Sequence, residues 1–443
     1  MTKWSLAYEL LRAFVRFLFK RFYEKVQSDG NENIPKKEPI IFAANHQNAL
    51  MDPLAIIFTN PNQSVFLTRA DIFDNPILLK IFSFFKMLPV YRIKDGADSL
   101  KNNERIFNKS VEILEANMSV ALFPEAMHTD KRHLRPLKKA VPRIAFMAEE
   151  KNDFSLNLQV VPVGIYYEDY VHTNSKLFVN YGKPLSLKPY KELAKGNIQK
   201  AYIAFKNDLE DAIKKLIIHI KDMNNYDLYE GIRLFYRPIM RETLGNNEDN
   251  PLNNFKADQK TIEKLENYYD NENNSIESLK EAYNNFSNNC KSLKIDPLLW
   301  PKKNSIIILI KYILFTLSLP IFIYGIINNI IYYLLFTKFI NQIKDKQFHS
   351  SIKFAISFTI LPILYIIQAA IFYLFIEDFY YTLIYLVSLP ISAYLANKIR
   401  YSFKHFKQEV IIWWVSRSKN KNVIAYRESK DALIEKIEMA LGK

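Results

Sequence analysis

The feature that most limits how this 443-residue chain can fold is three almost wholly apolar stretches in its last third, Ser305–Phe336, Ile352–Ile376 and Tyr380–Ala396. A run of about 20 apolar residues matches a hydrocarbon core of about 30 Å, and three such runs in sequence point to a membrane rather than a soluble interior. The second stretch is long enough to cross, and the third, at 17 residues, is just long enough. Glu377 and Asp378 form the polar break between them, which predicts a tight helical hairpin whose acidic tip faces outward. Lys338, Lys344, Lys346 and Lys353 flank one end of the hairpin, and Lys398, Arg400, Lys404 and Lys407 the other. Such cation excess places both ends in the cytoplasm. The first stretch, 32 residues, would run about 48 Å as one helix. With Pro320, Gly325, Asn328 and Asn329 mid-run, it reads as a re-entrant or very short hairpin that crosses an even number of times.

Charge narrows the partners. Sixty Lys and Arg against 46 Asp and Glu give a net charge of +14, which calls for an anionic partner: nucleic acid, a phosphorylated substrate or an anionic membrane. No nucleic-acid recognition motif appears. The single Cys290 excludes an intramolecular disulfide framework and a cysteine-rich zinc site.

Residues 2 to 27 read as one helix in which Glu9, Arg12, Arg16, Lys20 and Glu24 make a narrow polar stripe. Trp4, Leu6, Leu10, Leu11, Phe14, Val15, Phe17, Leu18, Phe19, Phe22 and Tyr23 cover the rest. Such a helix lies in a membrane interface with its apolar side down, or packs on a soluble domain. The basic residues interrupt the apolar run and no small-residue cleavage site follows, so the pattern is not that of a signal peptide.

From residue 39 to about 182, short apolar runs alternate with helical patterns. Strands are expected at Pro39–Ala44, Ser64–Thr68, Leu88–Tyr91, Ser119–Phe123, Leu158–Tyr166 and Lys176–Tyr181, and helices at Pro53–Thr59, Pro76–Phe85, Ala97–Ala116 and Lys138–Glu150. This alternation predicts an α/β sandwich, with residues 186 to 245 adding further helices. Residues 246 to 303, rich in Asn, Asp and Glu, read as a solvated helical hairpin or linker with helices at Lys260–Tyr269 and Ser275–Phe286 and room for partial disorder.

The chemistry begins where the first strand ends. The run Ile41-Phe-Ala-Ala-Asn45-His46 delivers an imidazole to a strand's C-terminal end, where open α/β sheets place ligands. Asp52 follows six residues later. In one continuous helix the two side chains would sit about 120° apart and could not touch. Pro53 suits the first helical position and Asp52 the N-cap before it. His46 then lies in the strand-to-helix loop, where the carboxylate can fix its tautomer and leave the other ring nitrogen to take a hydroxyl's proton. A dyad without a Ser or Cys nucleophile suggests activation of the substrate's own hydroxyl; the plainer reading is a capping Asp beside a hydrogen-bonded loop His. Backbone N–H groups near the helix start are candidate oxyanion donors.

Three further stretches bear functional residues. Leu88-Pro-Val-Tyr-Arg92-Ile-Lys94 puts two cations at a strand end, and the planar fork of Arg92 suits a phosphate. Phe123-Pro124-Glu125 ends a strand in a carboxylate, followed by His128, Asp130, Lys131, Arg132, His133, Arg135, Lys138 and Lys139, enough cations to collect an anionic headgroup. His128, Asp130 and His133 with His46 could also be read as a metal site, but the spacing matches no standard motif and the cations oppose a divalent ion. Val160-Val-Pro162-Val-Gly164 carries a Pro that argues for an edge or bulge; it lines an apolar tunnel or is plain core.

In this order and spacing the four stretches resemble the glycerophospholipid acyltransferases of the PlsC type, over roughly residues 35 to 185. The resemblance implies an acyltransferase-type α/β sandwich, with His46 and Asp52 catalytic, Arg92, Phe123, Pro124, Glu125 and Lys138 on the substrate phosphate side, and Pro162 in the acyl-donor site. Two departures stand out. Five residues separate His46 from Asp52 where the family has four, and Ala126 stands where it usually has Gly. The longer spacing and the Leu-Arg-Pro-Leu-Lys138 tail look like the fungal glycerol-3-phosphate and dihydroxyacetone-phosphate acyltransferases.

The implied organisation is a membrane-interface helix (1–30), an acyltransferase domain (31–245), a polar helical linker (246–303), transmembrane helices (304–400) and a basic cytoplasmic tail (401–443). The implied activity is transfer of a fatty acyl group from acyl-CoA or an acyl carrier protein to glycerol-3-phosphate or 1-acylglycerol-3-phosphate by His general-base catalysis. It needs no acyl-enzyme, metal or redox cofactor, and it works at the cytoplasmic face of a membrane. The competing classes are a catalytically silent lipid-binding scaffold and a metal-dependent hydrolase built on His46, Asp52 and His128.

Overall fold

A computed structural model describes residues 4–73, 75–91, 99–127, 129–270, 274–297, 305–415, 417–418 and 420–442. The chain divides into two compact units: residues 1–219, 250–255 and 346–351 form the first, and 220–249, 256–345 and 352–443 the second.

The first unit is built on a mixed sheet of strands β1 (Lys25–Asp29), β2 (Ile40–Ala44), β3 (Ser64–Arg69), β4 (Met87–Val90), β5 (Ser119–Leu122), β6 (Gln159–Tyr167), β7 (Lys176–Tyr181) and β8 (Leu185–Ser186). Their order is β1-β7-β6-β2-β5-β3-β4, with β8 pairing β6. The β6 pairs with β7 and β8 are antiparallel and the others parallel. Helices α1 (Leu6–Phe22), α2 (Met51–Thr59), α3 (Pro76–Phe84), α4 (Ser99–Glu115), α5 (Ala140–Lys151), α6 (Lys191–Gly196) and α7 (Ile198–Lys214) complete it. Every residue of β2 is buried, which is why it reads as an unbroken apolar run. Ile41 and Ala43 join a core with Val65, Val120, Ile144, Phe146 and Phe205, while Phe42 packs its ring edge against Tyr181 on the other face.

Several expectations are corrected. The first helix ends at Phe22, not near residue 27, and Lys25–Asp29 pairs in parallel with β7. Tyr23 turns the chain to extended geometry, and the Glu24 N–H donates to the Ser175 carbonyl at 2.9 Å. The polar stripe of α1 partly faces inward. Arg12 is buried and donates to the carbonyls of Ile57, Asn60 and Pro61, capping the C-terminal end of α2 as a cation does well. Trp4, Leu10, Phe14 and Phe17 face outward. Pro162 lies in an interior strand rather than at an edge or bulge. Its carbonyl accepts the Gly182 N–H at 2.9 Å, so its hydrogen-less nitrogen faces the same corner, where β6 changes partner from β8 to β7. The Gly164 break opens no tunnel at that point, because a Cβ there would come within 2.0 Å of the Leu216 carbonyl oxygen.

The second unit holds helices α8 (Tyr226–Thr243), α9 (Pro251–Tyr269, whose first turn belongs to the first unit), α10 (Glu277–Ser292), α11 (Ser305–Asn341), α12 (Gln347–Ile376, likewise), α13 (Phe379–Val415) and α14 (Lys421–Ala440). The polar region from 246 is more ordered than its composition suggests. Asp258 of α9 takes ion pairs from buried Arg233 and Arg237, and Phe286 of α10 packs against Phe235 and Tyr426.

Helices α11, α12 and α13 are long and apolar enough to cross a membrane. The first of them is one unbroken 37-residue helix, which overturns the re-entrant or hairpin reading. Pro320 lies inside the helix, and the other three supposed break points are contacts. Gly325 lets the backbone of α13 approach at Ser392 and Ala396, Asn329 accepts from Tyr365, and Asn328 accepts from Tyr385. Small residues and side-chain hydrogen bonds of this kind hold apolar helices together.

Candidate active site

Parallel register builds the site. Ala43 of β2 pairs with Leu122 of β5, so three residues beyond that pair His46 and Glu125 come out side by side at the sheet's C-terminal edge. The His46 N–H donates to Glu125 Oε1 at 2.8 Å, and the Arg135 N–H to Oε2 at 2.9 Å. Burial pushes the Glu125 carboxyl up to about 7, although both amides favour its charged form. The Thr129 N–H returns to the His46 carbonyl at 3.2 Å, tying the two loops together.

Asp52 sits inside the first turn of α2, not at its N-cap, which is Leu50. It is fully buried and accepts four bonds. Oδ2 takes His46 Nδ1 and the N–H groups of Gln47 and Asn48, all at 2.7 Å, and Oδ1 takes the Tyr167 hydroxyl at 2.8 Å. Four donors offset the cost of burying the carboxylate. Because a carboxylate only accepts, the hydrogen is on Nδ1, and Nε2 is the basic nitrogen. Burial, then the Asp52 charge, holds the Tyr167 phenol well above its usual range, so it stays a donor. Phe123 stacks on the imidazole at 4.2 Å and 15°, which fixes the ring plane. The His46 side chain remains 18% exposed.

Of the backbone N–H groups near the helix start, the candidate oxyanion donors, those of His46, Gln47 and Asn48 hold carboxylates, Leu50 donates to Ser351 and Met51 to the Asn48 carbonyl. Lys138 contributes its backbone N–H to the Pro124 carbonyl at 2.8 Å, and its side chain is exposed. Pro124 is buried. Ala126 takes φ 59°, the left-handed conformation that explains why a Gly is usual there. Pro162 is buried one strand away, paired with Ala43. Arg92 and His128 lie outside the described residues. Arg132, counted among the headgroup cations, instead turns inward, donating to the Tyr167 carbonyl at 2.7 Å with its guanidinium over the Tyr166 and Tyr170 rings. His133 packs against His219, and among the described residues no three metal-type side chains converge.

Two supporting residues escaped the sequence reading. Tyr167 ends β6, and Asn45 clamps that strand by accepting the Ile165 N–H at 2.7 Å and donating to its carbonyl at 3.1 Å. The paired tyrosines at a strand end were the available signal.

Residues 25–166 match the model of the acyltransferase family. A 1-acyl-sn-glycerol-3-phosphate acyltransferase of Borreliella burgdorferi is 24% identical over 161 residues, which cover 36% of this chain and 59% of that protein. The crystal structure of the 1-acyl-sn-glycerophosphate (LPA) acyltransferase PlsC from Thermotoga maritima is similar at 19% identity and a TM-score of 0.36, covering 49% of this chain and 82% of that one.

Proposed function

We propose that this chain, whose residues 25–166 form an acyltransferase domain of the PlsC type, is a membrane-bound O-acyltransferase that acylates a glycerophosphate hydroxyl from an acyl thioester. One observation carries the reading: Nδ1 of a partly open His46 is held at 2.7 Å by a buried, fully bonded Asp52. Nε2 takes the proton of the acceptor hydroxyl as its oxygen attacks the thioester carbonyl. The tetrahedral adduct collapses, the C–S bond breaks, and the leaving thiolate of CoA or a carrier protein takes the proton from His46. Asp52 stabilises the imidazolium in between.

The similarity to a 1-acyl-sn-glycerol-3-phosphate acyltransferase supports a monoacylated acceptor over glycerol-3-phosphate. Its phosphate would meet Arg92 and the exposed Lys138. Residues 346–351 belong to the catalytic unit and adjoin Lys338, Lys344 and Lys353, whose charge excess supports a cytoplasmic face. Full-length protein in vesicles should convert 1-acylglycerol-3-phosphate and acyl-CoA to the diacyl product, with the rate unchanged by chelator. His46→Ala should lower kcat by at least about a thousandfold with the fold retained; undiminished turnover removes the proposal.

A further inference from the structure

The loop that carries His46 is held by a segment 301 residues further along the chain. Ser351 Oγ accepts the Leu50 N–H at 3.0 Å and donates to the Asn48 carbonyl at 3.3 Å. It thereby bridges the two neighbours of Ala49, which sits at φ 40°. A non-glycine residue keeps that conformation only where its surroundings over-determine it. Ser350 donates to the Tyr170 carbonyl, which also takes the Asn48 side-chain amide at 3.3 Å. Both serines are nearly buried, 1% and 5% exposed, in the first turn of α12. Serine hydroxyls in a helix commonly bond back to their own backbone, as Ser357 does to the Lys353 carbonyl at 2.7 Å. Ser350 and Ser351 instead direct theirs to the loops around His46.

We infer that Ser351 is a positioning residue of the active site: by clamping the strained Ala49 turn it sets the Gln47 and Asn48 amides that hold Asp52 against His46. The chain of contacts is continuous. Asn48 offers its carbonyl to Ser351 and its N–H to Asp52 Oδ2, and the same oxygen takes His46 Nδ1. Removing the hydroxyl leaves a Leu50 N–H without its acceptor and the Ala49 strain without its clamp. The kinetic part of this inference rests on His46 acting as the base. The first turn of an apolar helix far outside residues 25–166 thus completes the catalytic loop.

The test uses the full-length chain in lipid nanodiscs. Ser351→Ala should lower kcat about tenfold with KM for acyl-CoA within about twofold, because the base is misaligned while the donor site is untouched. Ser351→Thr, which keeps the hydroxyl, should recover most of the rate. Ala49→Gly in the Ser351→Ala background should recover part of it, since glycine holds positive φ unaided. Ser357→Ala should behave as wild type. Independently of any substrate, amide exchange at Leu50 should quicken about tenfold in Ser351→Ala while β2 and β5 keep their protection. Unchanged Leu50 exchange overturns the inference, as does a uniform loss of protection through the catalytic unit, which would mark a merely structural serine. Faster Leu50 exchange in a protein whose wild type transfers no acyl group would keep the clamp and sink the acyltransferase reading instead.

Discussion

Ala126 shows how far one residue can depart from a pattern without losing it. Its φ of 59° costs an alanine about 1–2 kcal/mol, while a glycine there would lose more chain entropy on folding. The balance predicts that Ala126→Gly raises stability by about 0.5–1 kcal/mol, read from denaturant unfolding of the purified protein; a lower midpoint would show that the turn is not strained. Beside it, Glu125 sets a pH dependence. Its carboxyl is raised from 4.5 to about 7 in the fold, so the folded state holds a proton that the unfolded chain releases between those values. The sign follows: the contribution is fully present below about pH 4.5 and is lost as pH rises through 7. Wild type should therefore lose thermal stability relative to Glu125→Gln across that window, and parallel curves would refute the shift. At this scale the sequence disclosed His46, Asp52 and the Phe123–Glu125 run because strand and loop lengths alone bring them to the sheet edge. The paired tyrosines at the end of β6 hinted at Tyr167, but its contact and those of Asn45 and Ser351 depend on strand register or on a helix 301 residues away. The engaged amides of residues 46–48 were hidden for the same reason: their acceptors are side chains placed by the tertiary fold.

Elements buried on both faces were the most legible, since an apolar run is all that such a strand needs. The limits of β2, β3, β5 and β7 fall within a residue or two of those expected. Strand β1 was not visible because Lys-Val-Gln-Ser-Asp at the sheet edge has one apolar residue and only half-buried neighbours, and a long amphipathic pattern ran straight into it. The proline of β6 misled because an interior strand can shed one N–H where its partner changes. The error over α11 has a membrane cause. Gly325, Asn328 and Asn329 would mark a break in water, yet among apolar helices the glycine permits close approach and the asparagines find partners on neighbouring helices. Likewise the spacing of Arg12 put it in the polar stripe of α1, but the open carbonyls at the end of α2 are a better site for it than water.

For the molecule as a whole, net charge and the exposed apolar surface of the catalytic unit point the same way. Trp4 and, in α1, Leu6, Leu10, Phe14 and Phe17 are more than half exposed. Tyr8 meets Phe84 edge to face, so Leu79, Ile81 and Phe84 of α3 extend the same apolar surface. Water would penalise such an area, whereas a bilayer interface would bury it at about 1.5–3 kcal/mol for each large side chain. A net charge of +14 adds attraction to anionic lipid. If this surface seats the catalytic unit on the membrane that carries its acceptor, replacing exposed side chains with charges should spare both fold and chemistry but weaken access to lipid. The double variant Leu10→Glu, Phe14→Glu should keep its unfolding midpoint and its kcat on a short-chain, water-soluble acceptor. Its apparent KM for a long-chain acceptor in anionic vesicles should rise at least about tenfold, the equivalent of about 1.4 kcal/mol of lost interfacial binding. Equal loss on both acceptors would mean that the substitutions damaged the site itself, and no loss on either would mean that α1 takes no part in holding the catalytic unit to the bilayer.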